Sequence, residues 1–451
     1  MIITNFKNLA KSPLRKKALQ IVEAGYEAIN IKKAVLERIK INKNKLFISD
    51  FFVDLNKYRK IFIIGIGKGS ALASAALAEI LGKRLAEGIA IDVKKPKLKI
   101  ENWKLKIFEG THPNPSAQNI KATKKIVELA EKAGEDDLII SFICGGGSAL
   151  LCGSEKELKN SREIFSKLTS AGANITEINT IRKHLSEVKG GGLAKIAYPA
   201  SLISLIIADT PLNFKNDRGL SMVASGPTIY DKTIKKDAER VIGKYFNIRT
   251  SDVFQTSDVQ KLIRVLKETP KNKKYFKKVK NKMFLSNREP IAAMAKKAKQ
   301  MGFMPKIYSL KLKGEAKDSL VPLINILSYR KVPQVILAGG ETIIKLGKNP
   351  GKGGRNIEAV LGAIHNSQFV IRNKRNNLII ISFASDGRDN TEAAGAIGDI
   401  LTIDNAEKLK LNFEKYLKNH NTFKFFKKTG DLIFADQKTF NVSDLMLILK
   451  S

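Results

Sequence analysis

Ile61-Phe62-Ile63-Ile64-Gly65-Ile66-Gly67-Lys68-Gly69-Ser70 is the stretch on which the fold turns. An apolar, largely β-branched run stops at glycines, and the Ala-rich stretch Ala71–Leu81 follows at once. Such a run suits a strand buried on both faces, and a helix entered directly through glycines can pack back on the sheet. The passage recurs at Leu138–Ile143 before Gly145, Leu202–Ile207 before Asp209, Val335–Ala338 before Gly339 and Leu378–Phe383 before Asp386. Repeated βα units predict an α/β fold with mostly parallel, Rossmann-like sheets.

Outward from these strands, residues 8–57 read as amphipathic helices that precede the first strand. Between Lys232 and Met283 the glycine-tipped strands give way to a Lys-rich helical stretch that includes Pro270-Lys271-Asn272-Lys273-Lys274. A new rhythm begins at Met283-Phe284-Leu285-Ser286 and runs to Met446-Leu447-Ile448-Leu449, a last strand or short helix. The expected division is an amino-terminal α/β domain over 1–245, a Lys-rich helical connection over 246–283 and a carboxyl-terminal α/β domain over 284–451. A chain of 451 residues suits two such domains. No repeat of solenoid period and no long low-complexity tract interrupts them.

Apolar residues make up 43% of the chain, but no run approaches the ~18 uninterrupted apolar residues of a membrane span. Met1–Lys7 lacks the features of a signal peptide, so a cytoplasmic protein with no membrane partner is expected. The two cysteines, Cys144 and Cys152, have no metal-site spacing and read as reduced, buried thiols. A formal charge of +37 admits a polyanion-binding surface or a lysine-rich solvated exterior. Lysines are dispersed along the whole length, which favours the second. Weak, salt-sensitive adhesion to nucleic acid follows, without a specific nucleic-acid partner.

Several motifs carry chemistry. Gly65–Ser70 opens a helix, so its amides and the helix dipole offer an anion site to which Lys68 adds charge; a structural turn is the alternative. Cys144-Gly145-Gly146-Gly147-Ser148 ends a strand with glycines that let backbone approach a ligand, and Ser148 either caps the next helix or donates to phosphate. Asn179–Gly192 gathers Arg182, Lys183, His184, Lys189 and three glycines, a cluster suited to carboxylate or phosphate or else a solvated helix face. Asp209 ends a strand, where it could hold Mg²⁺, bind a substrate hydroxyl or simply make a turn. Farther on, Gly339-Gly340-Glu341 and Gly353-Gly354-Arg355-Asn356 bracket a hairpin-like segment, and Asp386 and Asp389 follow another strand. Arg355 can grip phosphate through planar bidentate contacts, and Glu341, Asp386 and Asp389 are candidate Mg²⁺ ligands.

In this order the motifs resemble the glycerate 2-kinase family, the group with a carboxyl-terminal MOFRL domain, over nearly the whole chain. The matching blocks are Gly67-Lys68, His112-Pro113, Gly145–Leu150, Arg182–Ser186 with Lys189-Gly190-Gly191, Ser225–Thr228, Gly339–Glu341 and Gly353–Asn356. The resemblance implies ATP- and Mg²⁺-dependent phosphorylation of (R)-glycerate at its 2-hydroxyl, in a cleft between two α/β domains of a monomer or homodimer. It implies Lys68 and Arg355 as the catalytic pair. Arg182 or Lys189 would bind the acceptor carboxylate, with His112 and Ser225 beside the substrate, and Asp209 would orient or deprotonate the hydroxyl. The nucleotide would lie on Gly67, Gly145–Ser148, Lys189, Gly339–Glu341, Gly354 and Asn356, and the metal on Asp386 and Asp389.

The chain departs from the family pattern in places. Ala208–Asn213 lacks a usual Gly-Asp pair, for which Asp217 is a substitute, and Ser385–Asn390 lacks a last glycine. Ala435–Val442 has lost both glycines of the final loop, and Cys144 stands where serine is usual. Two other readings are hydroxypyruvate reduction, which lacks a GxGxxG strand with an acid ~20 positions on, and a catalytically weakened basic binding protein.

Overall fold

The computed structural model describes the chain apart from residues 97–103, 210–216, 247–255, 329–332, 348 and 373–376. Two compact units emerge, one of Val35–Ile207 with Leu212–Phe284 and the other of Met1–Ala34, Ala208–Pro211 and Leu285–Ser451.

The first unit opens with a small antiparallel sheet of β1 (Ile39–Asn42), β2 (Lys45–Ile48) and β3 (Phe51–Asp54). The expectation of helix through residue 57 is therefore corrected after Arg38. Alternating exposure along β2, with Leu46 and Ile48 inward, is a strand period that the helical reading overrode.

Its main sheet has six strands: β4 (Lys60–Ile66), β5 (Leu85–Asp92), β6 (Leu105–Glu109), β7 (Asp137–Ile143), β8 (Ser201–Ile207) and β9 (Val279–Leu285). Their order is β6-β5-β4-β7-β8-β9, and every pairing from β6 to β8 is parallel. Phe62, Ile64 and Ile66 on one face of β4 pack with Ile126 and Leu129 of the helix Ala117–Lys132 and with Leu193. At Gly65 a Cβ would lie 2.5 Å from Ser74 Oγ, so that glycine allows close packing of the helix Ser70–Leu81. A separate cluster of Ile164, Leu168, Ile181, Leu185, Ile242 and Leu262 holds helices beyond the sheet.

β9 departs from the expected domain division. The sequence rhythm places Met283–Leu285 at the start of the second domain, but the strand adds to the edge of the first sheet, with Leu202 N donating to Lys278 O at 3.0 Å. The Lys-rich connection thus belongs to the first unit.

The second unit contains β10 (Met304–Leu312), β11 (Gln334–Gly340), β12 (Leu378–Ala384), β13 (Gly395–Gly398), β14 (Leu432–Ile433) and β15 (Asp444–Lys450), in the order β10-β11-β15-β12-β13-β14. Only β10 and β11 pair in parallel; the other pairings are antiparallel, which corrects the expectation of a mostly parallel second sheet. The last strand, β15, buried at every position, inserts between β11 and β12. Composition cannot show this, because a central strand reads as a continuous apolar run in either direction. The α/β class itself holds for both units.

Met1–Ala34 packs in this second unit, not with the amino-terminal domain. Arg15 on the helix Pro13–Ala28 is fully buried and donates Nε and Nη2 to the two oxygens of Asp399 at 2.7 and 2.5 Å and Nη1 to Asp431 at 2.7 Å. Burial opposes its charge, but Asp399 and then Asp431 outweigh burial and hold the guanidinium above its ordinary value. Leu19, Ile21, Val22 and Tyr26 of the same helix are fully buried.

Candidate active site

In the first unit, β5 and β6 lie on one side of β4 and β7, β8 and β9 on the other. The loops that follow β4 and β7 therefore part at a topological switch point, where open α/β sheets bind ligands. These loops carry Lys68 and Gly145–Ser148. They are tied together: Lys68 N donates to Gly145 O at 2.9 Å and Cys144 N to Ile66 O at 2.8 Å. Gly67, at φ +105, admits no side chain, since a Cβ would lie 2.4 Å from Cys144 O. Above Gly146, at φ +77, a Cβ would meet His112 Cδ2 at 3.2 Å and Lys68 Cγ at 3.3 Å, so His112 and Lys68 share that space. Burial, then the charges of Lys68 and Arg182, pull the His112 imidazole down to about 4, so it is neutral at physiological pH.

The helix N-terminus after Gly69 differs from the expected anion site. Gly69 cannot cap it with a side chain; instead Asp92, at the end of β5, accepts from Ala71 N at 3.1 Å and Val93 N at 2.7 Å. The protein's own carboxylate fills that position. Burial pushes Asp92 up to about 6 despite these amides and Lys68. For the amides of Gly145 and Gly146, by contrast, no acceptor occurs among the described residues.

Ser148 Oγ lies 2.9 Å from Ser225 Oγ, which donates to Asn179 Oδ1 at 3.2 Å. Ser225 sits in a run of left-handed residues, Ala224, Ser225 and Gly226 at φ +50, +59 and +60. For the two non-glycines this costs roughly 1–2 kcal/mol each. The turn packs on Gly147, where a Cβ would lie 2.6 Å from Ala224 Cβ. Strain of this kind persists where packing over-determines it, commonly beside functional groups.

Arg182 donates Nη1 to Asn179 Oδ1 at 3.3 Å and lies 4.3 Å over the Phe165 ring. Its buried Nε has no hydrogen-bond partner, and it forms no ion pair among the described residues. Burial alone pulls its pKa down to about 10. An arginine that has lost water without gaining a carboxylate is suited to an anionic ligand. It lines a cavity of about 670 Å³ together with Ser148, Pro113, Arg162 and Phe165.

Lys189 borders the same cavity but is committed elsewhere. Its Nζ is ion-paired with buried Glu157 and donates to Leu151 O at 2.6 Å. Lys183 pairs with Asp231 at 3.1 Å, and fully buried His184 contacts Lys267 O and Thr233 Oγ1 at 2.8 and 3.2 Å. These three hold the helix Ile175–Leu185 and its exit in place.

In the second unit, Gly339 and Gly340 accommodate packing: a Cβ would lie 2.8 Å from Ile291 Cδ1 at the first and 2.2 Å from Leu312 O at the second. Next to them, Glu341 accepts from Arg355 Nη2 at 2.9 Å, and Arg355 Nε lies 2.5 Å from Asp444 Oδ2. These contacts use Nε and Nη2 and leave Nη1 outside them. Burial opposes the Arg355 charge, but Asp444 and Glu341 hold it above its ordinary value. Burial, then the charges of Asp209 and Asp386, raise Glu341 despite Arg355.

Arg355 begins the helix Arg355–Asn366, whose N-cap, Gly354, has no capping side chain. Asp389 supplies the cap, accepting from Ile357 N at 2.9 Å and Asn356 Nδ2 at 3.2 Å, while Asn356 Oδ1 accepts from Ser382 Oγ at 2.6 Å. Burial and Asp444 push Asp389 up to about 7. Asp389 and Asn356 thus build the helix start, whereas Asp386 makes a turn by accepting from Arg388 N at 3.2 Å. Asp209 is half-buried; the Asp217 side chain lies outside the described residues. Among the described residues no group of three or more His, Cys, Asp or Glu forms a ready metal cage.

The glycine-free final loop is anchored as structure, with Thr439 Oγ1 donating to Ser385 O at 2.7 Å and Phe440 N to Ile29 O at 3.0 Å. Among the described residues between Glu341 and Gly353 no hairpin pairing occurs, which corrects that expectation; Ile343 makes an isolated parallel bridge with Glu315. Sequence reasoning missed Asp92, Asn179, Phe165 and Asp444. The strand-end position of Asp92 and the start of β15 at Asp444 were the available signals; nothing in the sequence marked Phe165.

Known proteins share this architecture. The family model described as a domain of unknown function (DUF4147) matches residues 17–256, and the MOFRL family model matches 334–444. A glycerate 2-kinase of Pyrococcus horikoshii is 30% identical over 97% of each chain. A putative hydroxypyruvate reductase of Agrobacterium vitis is 32% identical over 86% of each. The crystal structure of a glycerate kinase from Thermotoga maritima superposes with a TM-score of 0.79 at 29% identity, covering 97% of this chain and 99% of that one. With both domain models in sequence and full-length likeness in fold, the chain belongs to the glycerate 2-kinase family of DUF4147 and MOFRL domains.

Proposed function

We propose that this protein is an ATP- and Mg²⁺-dependent kinase that phosphorylates the 2-hydroxyl of (R)-glycerate, giving 2-phosphoglycerate and ADP. The observation that carries the reading is Arg182, a desolvated guanidinium without a carboxylate partner among the described residues, in a cavity with the Ser148 hydroxyl. A small hydroxy acid supplies the missing carboxylate and a hydroxyl of its own. Arg182, not Lys189, takes the carboxylate, because Glu157 already neutralises the lysine. Ser148 and Ser225 orient the acceptor hydroxyls, and Asp209 receives the proton as the acceptor oxygen attacks.

Phosphoryl transfer depends chiefly on positioning and on neutralising charge. Lys68 and Arg355 supply the mobile and the fixed cation. Neutral His112 beside Lys68 adds no competing charge, and the open Gly145 and Gly146 amides donate to phosphate oxygens. Glu341 and Asp386 fit Mg²⁺, which takes only one or two protein carboxylates beside substrate phosphates, and the ion would neutralise the donor phosphates. Asp389 is left out of this set because its carboxylate caps a helix.

The reductase reading is not favoured by this site. The acidic residue at the end of β5, where a dinucleotide fold holds a ribose, is Asp92, already bonded to Ala71 N and Val93 N. A coupled assay for ADP, with phosphorus NMR of the product, tests the proposal. Glycerate-dependent ADP and a 2-phosphate are expected. NADH oxidation by hydroxypyruvate without ADP release would overturn the assignment.

A further inference from the structure

The second unit holds a cavity of about 480 Å³ lined by Ile343, Leu346, Pro350, Arg355 and His420, among others. Its volume is in the range of small-molecule sites, and its walls combine aliphatic surface with a cation. Ile343 and Leu346 are 55% and 62% exposed. Isolated exposed aliphatics are ordinary on a protein surface. Ile343, however, projects from a fixed backbone: its N donates to Gly314 O and its O accepts from Ala316 N, both at 2.9 Å. In the same segment Lys345 Nζ and Glu315 Oε1 form a surface ion pair at 2.5 Å. Ile343 is therefore presented from a hydrogen-bonded backbone, with Leu346 and Arg355 lining the same cavity.

His420 is fixed as well, its Nδ1 bonded to buried Glu358 Oε2 at 2.9 Å. That contact orients the ring and leaves Nε2 as its remaining polar atom. The cavity thus offers the Arg355 Nη1 group, which lies outside its contacts with Glu341 and Asp444, for a phosphate oxygen, aliphatic side chains for a flat apolar surface, and an imidazole for a polar ring edge. A nucleotide presents the same chemistry, with phosphates at one end and a heterocyclic base at the other.

We propose that this cavity receives the base and ribose of the phosphate donor, the base against Ile343 and Leu346 and the phosphates toward Arg355. The inference rests on the kinase reading above and adds that the MOFRL-containing unit selects the nucleotide. Because both aliphatic side chains are largely exposed, replacing them leaves the core unchanged.

The test is calorimetric titration of ADP and, separately, inorganic tripolyphosphate into the full-length wild type and the double variant I343S/L346S. ADP affinity should fall at least tenfold in the variant while tripolyphosphate affinity changes less than twofold. Equal ADP affinity in the two proteins would overturn the proposal, as would a wild type that binds no ADP, or a parallel loss of both ligands. A wild type that binds ADP in this pattern but releases none with glycerate supports the base site and overturns the acceptor assignment alone.

Discussion

Arg182 and Lys189 share a formal charge and border one cavity, yet their surroundings give them opposite roles. The arginine lies over Phe165 without a carboxylate among the described residues; the lysine is neutralised by Glu157. Arg182→Gln should lower kcat/KM for glycerate by about 100-fold or more, in line with truncation of a buried charge contact. Its denaturation midpoint should hold. Lys189→Met should instead destabilise the fold by about 3–5 kcal/mol, because Glu157 is left buried and unpaired. Urea titrations beside steady-state kinetics separate the two, and a reversed pattern would sink both assignments. Asp92 adds a pH effect. Its folded value, about 6, lies above its ordinary 3.8, so its contribution to stability is complete below that lower value and is lost as pH rises toward 6. Measured between pH 4 and 7, Asp92→Asn should gain up to about 3 kcal/mol relative to wild type. A pH-independent difference would show that Asp92 is not strained by burial.

The two candidate catalytic cations sit at similar element boundaries. Lys68 precedes a helix with Gly69 as N-cap, and Arg355 begins one with Gly354 as N-cap; in both, an aspartate from another segment replaces the missing cap. A capping side chain is excluded at Gly354, where a Cβ would lie 2.0 Å from Asp389 O. Asp389→Ala should therefore cost about 1–2 kcal/mol by uncapping the helix and should also disturb Arg355 at its first turn. Activity should fall more steeply than thermal stability. Equal activity at reduced stability would make Asp389 a cap and nothing more. The glycine motifs were legible as places where backbone comes close, but what comes close is often the protein itself, as at Gly340 and Leu312. A sequence shows that a side chain is missing and not what fills the space.

At the scale of the molecule, the amino-terminal helix is an integral part of the unit formed by the carboxyl-terminal half. Arg15→Met should destabilise that unit by about 3–5 kcal/mol, since Asp399 and Asp431 would remain buried without their cation. Denaturant unfolding followed by limited proteolysis should show early cleavage after residue 285, and loss of protection confined to the first sheet would contradict the assignment. The +37 charge bears little on these arguments, because the charges that matter are buried pairs and not the lysine excess.

By itself the sequence determined the α/β class, the βα order, the family and the positions of Lys68, Arg182 and Arg355. Each of these is written locally, in an apolar run, a glycine turn or the order of short motifs. Tertiary structure decided that β9 closes the first sheet, that β15 enters the middle of the second, and that Met1–Ala34 packs beside Asp399 and Asp431. It also distinguished an arginine with no carboxylate among the described residues from a neutralised lysine, and gave Asp389 the place of a helix cap. Such outcomes depend on pairings between residues hundreds of positions apart, where burial and partner charge, absent from any local pattern, determine the role of a side chain.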